Sequence, residues 1–445
     1  MRVKSSSPGR AYAWYVVLLC MVAYVFSFID RQILALLIQP IRKDLDISDT
    51  QFSLLHGLAF SIFYATMGVP IARLADSRPR PMIIAAGVFL WSLATAATGL
   101  GKNFAQIFIA RMGVGVGEAA LSPAAYSMIA DLFPRRALGR ALAVYSIGTF
   151  IGGGLAYLIG GAVVGMVGDA PTVTLPLVGD VRAWQVVFFI VGLPGILLAV
   201  IFATTVRDPI RTAQDAKGAS VGAVFSFIRQ NRAFFVAHYG GFTLCALALF
   251  GLMSWTPAYL IRVHGLTTAE TGLLLGATLL AANVGGVLAS GWLTDHLERE
   301  GRADAPMRAG MIGAIGLAAP IALFSLSANA AIAGILIAIA FFFASFPLAT
   351  SAAAMQIASP PDMRALISAL FLFCNSIFGL AVGGTMIALV TDYVFRNDAM
   401  VGASVSIVGG AAAIGAALLL RGGLKPFAAL ATAQSRNISA AAIPL

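Results

Sequence analysis

RDPIRTAQDAKGASVGAVFSFIRQNR, residues 207–232, is the longest polar stretch in a chain of 445 residues, and it falls halfway along. Six apolar segments precede it, at 13–40, 51–75, 81–101, 104–131, 136–166 and 184–206. Six follow, at 233–262, 268–294, 308–327, 329–357, 363–393 and 399–421. Each can cross roughly 30 Å of hydrocarbon as a helix. Lipid offers no partner to backbone N–H and C=O groups, so a spanning segment of this length must satisfy them internally, as a helix does. The pattern predicts an all-α polytopic membrane protein with two six-helix halves, 1–206 and 233–445, joined by the linker 207–232.

Composition agrees. The chain is 59% hydrophobic and 11% charged, with a mean hydropathy of +0.90, against about 25% charged residues in soluble domains. The first apolar run follows Arg2, Lys4 and Arg10, as a signal peptide would, but continues past residue 29 without a small-x-small cleavage site, so it reads as span 1. The net charge of +10 lies in short segments between spans, which argues against nucleic acid as a partner. Cys20, Cys245 and Cys374 all sit inside apolar runs and read as small buried hydrophobes, not metal or redox groups.

With the N-terminus placed in the cytoplasm, 21 of the 29 Lys and Arg residues fall on that side and 6 opposite; Arg31 and Arg111 are inside spans. Positive charge marks the cytoplasmic face, so both termini are expected there. The halves also look duplicated. RLAD ending at Asp76 recurs as GWLTD ending at Asp295, each after the second span of its half, and PRRALGRAL (134–142) recurs as DMRALISAL (362–370). Two matches in register favour an internal repeat.

Four ionisable residues lie deep in spans: Asp30 and Arg31 in span 1, Arg111 and Glu118 in span 4. Each costs about 2.5–3.5 kcal/mol at mid-bilayer, and such residues usually line water or a site. Neighbours on a helix diverge by about 100°, so Asp30 and Arg31 need partners from another helix. Arg111 and Glu118 are two turns apart on one face, about 10.5 Å in rise, too far to pair with each other. Span 1 runs outward and span 4 inward, which brings all four to similar depth. Asp30 with Arg111, and Arg31 with Glu118, are the available pairs. Gly113, Gly115 and Gly117 let another backbone or a ligand approach between them. One reading is a static network that fastens span 1 to span 4. The other is proton coupling: Asp30 and Glu118 exchange protons, while Arg31 and Arg111 grip an anionic head group with paired hydrogen bonds. Protons would be the coupling ion, with no cofactor and no metal. His56 in span 2 can titrate but reads more simply as a packed polar residue.

Spans 7–12 carry no charge in their deep portions and offer Trp255, Tyr259, Phe341, Phe342, Phe343, Phe346, Met355 and Phe371. Charged groups in one half and aromatics such as Trp255 and Phe342 in the other suit an amphiphile with an anionic head and a long tail. Small residues four apart, Gly148/Gly152, Gly272/Gly276, Gly379/Gly383 and Gly57/Ser61, fall in the outer half of the membrane and suggest an outer gate. At the inner side Asp76 and Asp295 can accept hydrogen bonds at helix N-termini, with Arg80, Arg136, Arg140 and Arg364 as nearby cations.

Two six-helix halves and a basic central linker resemble the major facilitator superfamily of secondary transporters. GVPIARLADSRPRP (68–81) resembles its loop motif, with Ala72 and Pro79 replacing two motif glycines, and GWLTD (291–295) is the cleaner copy. Within that superfamily, residues 28–70 and RMGVGVGEAALSPAAYSMIADLFP (111–134) resemble the spinster-like lipid transporters. The resemblance implies the major facilitator fold. It also implies a central cavity lined by the first and fourth helices of each half, helices 5 with 8 and 2 with 11 meeting across the halves, and alternating access. The expectation is a proton-coupled transporter of a lysolipid-like or sphingoid-phosphate-like anion, a monomer in the bacterial inner membrane among membrane lipids. A small organic anion or a drug is the alternative substrate. A lipid enzyme is disfavoured by the lack of H-E-x-x-H and S-x-x-K patterns, and GVGVGE is not a nucleotide loop because its sixth position is Glu118.

Overall fold

The computed structural model describes residues 9–167, 172–176, 179–210, 220–360 and 362–441. Among these, eleven helices are long and apolar enough to cross a membrane. A twelfth helical run, residues 49–77, is built from Asp49–Ser53, a π-helical segment Leu54–Leu58 and Ala59–Ser77 without a break. In chain order the runs are α1 (Arg10–Leu36), α2 (49–77), α3 (Arg80–Thr98), α4 (Phe104–Leu132), α5 (Arg135–Val167), α6 (Ala183–Thr205), α7 (Arg232–His264), α8 (Thr268–Arg299), α9 (Ala305–Leu323), α10 (Ala330–Ala358), α11 (364–395) and α12 (Val401–Ala441).

Local chemistry sets the ends. Ser48 and Gln51 form a reciprocal capping box at the start of α2, and Thr267 and Glu270 do the same for α8. Asn103 caps α4 and Asn329 caps α10 through side-chain oxygens. Gly265, at φ 67°, closes α7 in the left-handed region where a side chain is strained.

Three features depart from the sequence reading. Span 1 ends at Leu36, and a separate short helix, Ile38–Leu45, follows with Ile38 and Ile41 buried. Arg182 Nε meets Asp44 at 2.6 Å and Trp184 Nε1 donates to it at 3.0 Å, fastening this short segment to the start of α6. A two-stranded antiparallel hairpin, β1 (Val173–Leu175) and β2 (Gly179–Val181), lies between α5 and α6. Finally, α12 runs well beyond residue 421, to Ala441.

The chain divides into two compact units. One holds α1–α6 together with Leu266–Leu280, the first part of α8; the other holds α7, the rest of α8 from Ala281, and α9–α12. In the first unit α1 packs on α5 and α3 on α6; in the second, α7 packs on α11 and α9 on α12. The units differ in one respect: α7 also packs extensively on α12, whereas α1 meets α6 only slightly. In the first unit α5 and the start of α8 approach to backbone distance: a methyl on Gly272 would lie 2.8 Å from the Cα of Gly161, and one on Gly276 would lie 2.9 Å from the Gly154 carbonyl oxygen.

Candidate functional site

The four deep charges of the first unit converge. Glu118 closes the first segment of α4, Phe104–Glu118, just before the helix is interrupted at Ala119–Ala120. Its Oε2 accepts from Ser27 Oγ at 2.6 Å and Arg31 Nε at 2.7 Å, and lies 2.5 Å from Arg31 Nη2. Ser27 and Arg31 are one turn apart on α1, and Arg31 Nη2 also donates to Ser27 Oγ at 3.2 Å. Glu118 Oε1 is buried without a partner. The expected Arg31–Glu118 pair is therefore present, with Ser27 as a third member.

The second expected pair takes another form. Arg111 Nη1 donates to the backbone carbonyl of Asp30 at 3.2 Å, not to its carboxylate. That carboxylate accepts from Thr95 Oγ1 of α3 at 2.9 Å through Oδ2, while Oδ1 has no partner. Arg111 Nε and Nη2 are likewise buried and unpartnered. Relative exposures are 0% for Arg111, 1% for Glu118 and 2% for Asp30. The Arg31 side chain, at 13%, is the most open of the four.

Glycines make this convergence possible by admitting neighbouring backbones. A methyl on Gly115 would sit 2.5 Å from the Phe60 carbonyl oxygen of α2, and one on Gly117 would sit 2.7 Å from the Trp91 nitrogen and 2.8 Å from the Gly87 oxygen of α3. The close crossing at Gly115 delivers two rings of α2. Arg31 Cζ lies 4.5 Å from the Phe60 centroid, 4.8 Å from Tyr64 and 5.0 Å from Phe28 of α1. The rings continue along α1 and α5: Phe28 meets Tyr24 edge-on at 5.2 Å, and Tyr24 stacks on Tyr145 at 4.7 Å. Sequence reasoning placed the aromatic wall in the second half and missed this one. The signal was available, since Phe60 and Tyr64, like Ser27 and Arg31, are spaced i, i+4 and share a face.

Other expected positions came out differently. Trp255 is buried and donates its indole N–H to the Gly384 carbonyl at 2.9 Å, which ties α7 to α11. Phe342 is part-buried, edge-on to Phe343 and Phe346 and against Gly285 of α8. Gly148 faces Met21, Tyr24 and Val25 of α1, and Gly152 faces Val25 and Phe28, so this pair packs α5 on α1; the glycines of α5 that meet α8 are Gly154, Gly161 and Gly165. Gly379 lies against Ala246 of α7 within its own unit. Gly272 and Gly276 of α8 do meet α5, whereas Gly148, Gly152 and Gly379 pack on other helices, because a glycine-rich helix offers the same small-residue spacing on more than one face.

At the other end of the first unit, Arg80 is an enclosed, fully engaged side chain. It is 2% exposed. Its Nη1 meets Asp131 at 2.5 Å and Ser127 at 2.8 Å, its Nε meets Asp208 at 2.8 Å, and its Nη2 donates to the Pro209 carbonyl at 2.8 Å. One guanidinium thus joins α3, α4 and the start of the linker. Removing one member of a buried pair leaves an uncompensated charge, at about 3–5 kcal/mol. Arg80→Ala is expected to lower the thermal unfolding midpoint of the purified protein by several degrees, whereas Arg73→Ala, at an exposed position, is expected to leave it within a degree. Asp295 is exposed; the side chains of Asp76 and Arg136 lie outside the described residues.

The family follows from this arrangement and from similarity. Residues 20–384 match the model of the Major Facilitator Superfamily. The chain belongs to that superfamily. It is 28% identical over 93% of its length, and 90% of the relative's, to an MFS-type efflux pump of Mycolicibacterium smegmatis. It is 26% identical over 94% of its length to human protein spinster homolog 1, covering 83% of that protein. Its fold superposes with a TM-score of 0.77, over 96% of this chain and 98% of the other, on the crystal structure of a bacterial homolog of the human lysosomal transporter Spinster in an inward-facing, unoccupied conformation, at 24% identity. The protein is a membrane transporter, spinster-like among its superfamily, and not an enzyme. In the linker, GASVG (218–222) matches nucleophile-elbow spacing, but Ser220 is exposed and caps the helix Val221–Gln230.

Proposed function

We propose that the protein couples protons to the movement of an amphiphilic anion, lysolipid-like or sphingoid-phosphate-like, by alternating access. The Arg31–Glu118 pair within a ring of aromatic faces carries this reading. With both acids ionised, Asp30, Glu118, Arg31 and Arg111 sum to zero. A proton on Glu118 removes the counter-ion of Arg31 and frees its paired donors for phosphate or carboxylate. Phe28, Phe60 and Tyr64 steady the guanidinium meanwhile. Proton and anion therefore occupy the site together, and anion binding tightens as pH falls. Asp30, held by Thr95 and beside Arg111, is the second proton carrier. Arg111, fully enclosed, acts on the anion through its field. Both termini face the cytoplasm and the membrane is the bacterial inner membrane in this reading, as the distribution of Lys and Arg supports, and the working unit is a monomer.

The rings of Phe28, Tyr24 and Tyr145 offer a path for a tail. Each buried CH₂ contributes about 0.8 kcal/mol, roughly fourfold in affinity. The deciding measurement is transport of a homologous series of lysophospholipids in proteoliposomes under an imposed pH gradient. Apparent affinity is expected to rise with each methylene until the tail is enclosed. Equal handling of short and long chains would transfer the assignment to the second reading, a small organic anion or drug, which the similarity to an efflux pump favours.

A further inference from the structure

Independently of the transport site, the second unit carries an open groove of about 660 Å³ between the start of α9 and the middle of α12, within the roughly 300–1,000 Å³ usual for ligand pockets. Asp304 and Arg308 line it from α9, and Leu418, Arg421, Leu424 and Lys425 from α12. Arg308 is already committed: it grips Asp304 through Nη2 at 2.6 Å and Nε at 3.2 Å. Arg421 and Lys425 are exposed, one turn apart on the same face, and have no hydrogen-bond or ion-pair partner among the described residues. Two like charges at i, i+4 oppose each other unless an anion bridges them.

Their height in the membrane narrows the anion. The run Val401–Leu420 carries no charge, and Arg421 follows it directly, so the two cations begin where hydrocarbon gives way to head groups. Leu418 and Leu424 supply apolar wall beside them. A free inorganic anion would use the cations alone; a phosphate that carries acyl chains also reaches Leu418, one turn before Arg421 at hydrocarbon depth. We propose that this groove seats the phosphate head group of an anionic glycerophospholipid of the surrounding bilayer, with Arg421 and Lys425 bound to the phosphate oxygens and an acyl chain running along Leu418. Basic pockets between helices at a membrane surface select such lipids.

The test uses the full-length protein purified in detergent. Dioleoyl phosphatidylglycerol, dioleoyl phosphatidylcholine and sodium phosphate are added separately, with retained lipid counted by native mass spectrometry and the thermal midpoint followed in parallel. Phosphatidylglycerol is expected to be retained and to raise the midpoint. Arg421→Gln/Lys425→Gln is expected to retain at least fivefold less, while Arg299→Gln/Arg302→Gln, which removes two charges from the exposed rim beyond α8, retains it as wild type does. Equal retention of phosphatidylcholine, the same stabilisation from sodium phosphate alone, or undiminished retention by the double variant overturns the assignment. Should the double variant elute aggregated, the comparison of the three additives on wild-type protein decides the matter.

Discussion

Glu118→Gln is expected to reduce pH-gradient-driven transport at least tenfold while leaving exchange at constant pH within about threefold of wild type. Glutamine has the size of the protonated acid, and its amide oxygen can still accept from Ser27 and Arg31, which both donate to Glu118 Oε2. What it cannot do is change charge. Arg31 is then free of its counter-ion at every pH, as it is when the wild-type acid is protonated, and anion binding loses its pH dependence. The interaction of Arg31 with Phe28, Phe60 and Tyr64, about 0.5–2 kcal/mol for a ring according to how dry it is, keeps the unpaired guanidinium in place. The proposed coupling sets the sign: in the wild type, affinity for the anion is expected to fall as pH rises and Glu118 ionises to reclaim Arg31, whereas in the variant the binding curve is expected to be flat. Proteoliposome flux with and without the gradient, together with binding at two pH values, checks it. A variant that still follows the gradient would remove Glu118 from the coupling.

The twelve helices and the Arg31–Glu118 pair were legible because each rests on one strong term. Apolar length sets the spans, and the cost of burying a charge drives two opposite charges at one depth together. Asp30 was harder. Its carboxylate partner is Thr95, a neutral residue on a third helix, and an uncharged donor leaves no mark in a charge count. The same holds for Arg111, which reaches a backbone carbonyl that every residue possesses. The gate glycines show a different limit. Small residues four apart specify close packing, but α5 has Gly148, Gly152, Gly154 and Gly161 on more than one face, so spacing alone does not assign Gly148 to α1 and Gly161 to α8. The hydrogen bond from Trp255 to Gly384 was hidden for a related reason, since a buried indole N–H needs a partner and any backbone carbonyl can supply it.

Arg31→Ala is expected to abolish anion binding, at least a hundredfold, and its companion variants separate binding from folding. Hydrogen bonds to a charged group are worth about 1.5–3 kcal/mol each, and Arg31 presents two to one carboxylate oxygen, so their transfer to a substrate phosphate accounts for that loss. The same truncation strands Glu118, 1% exposed, without its counter-charge, at about 3–5 kcal/mol of stability if it stays ionised. A lower unfolding midpoint in Arg31→Ala therefore says nothing by itself about substrate. Arg31→Ala/Glu118→Gln removes both charges and is expected to recover most of the midpoint, because contacting residues are not additive, yet still not bind. Arg31→Lys keeps the charge but loses the planar fork and the fit between three rings, so it should fold, bind weakly and keep some pH dependence. If the double variant binds the anion as tightly as wild type, Arg31 serves only to neutralise Glu118, and the anion must be held elsewhere.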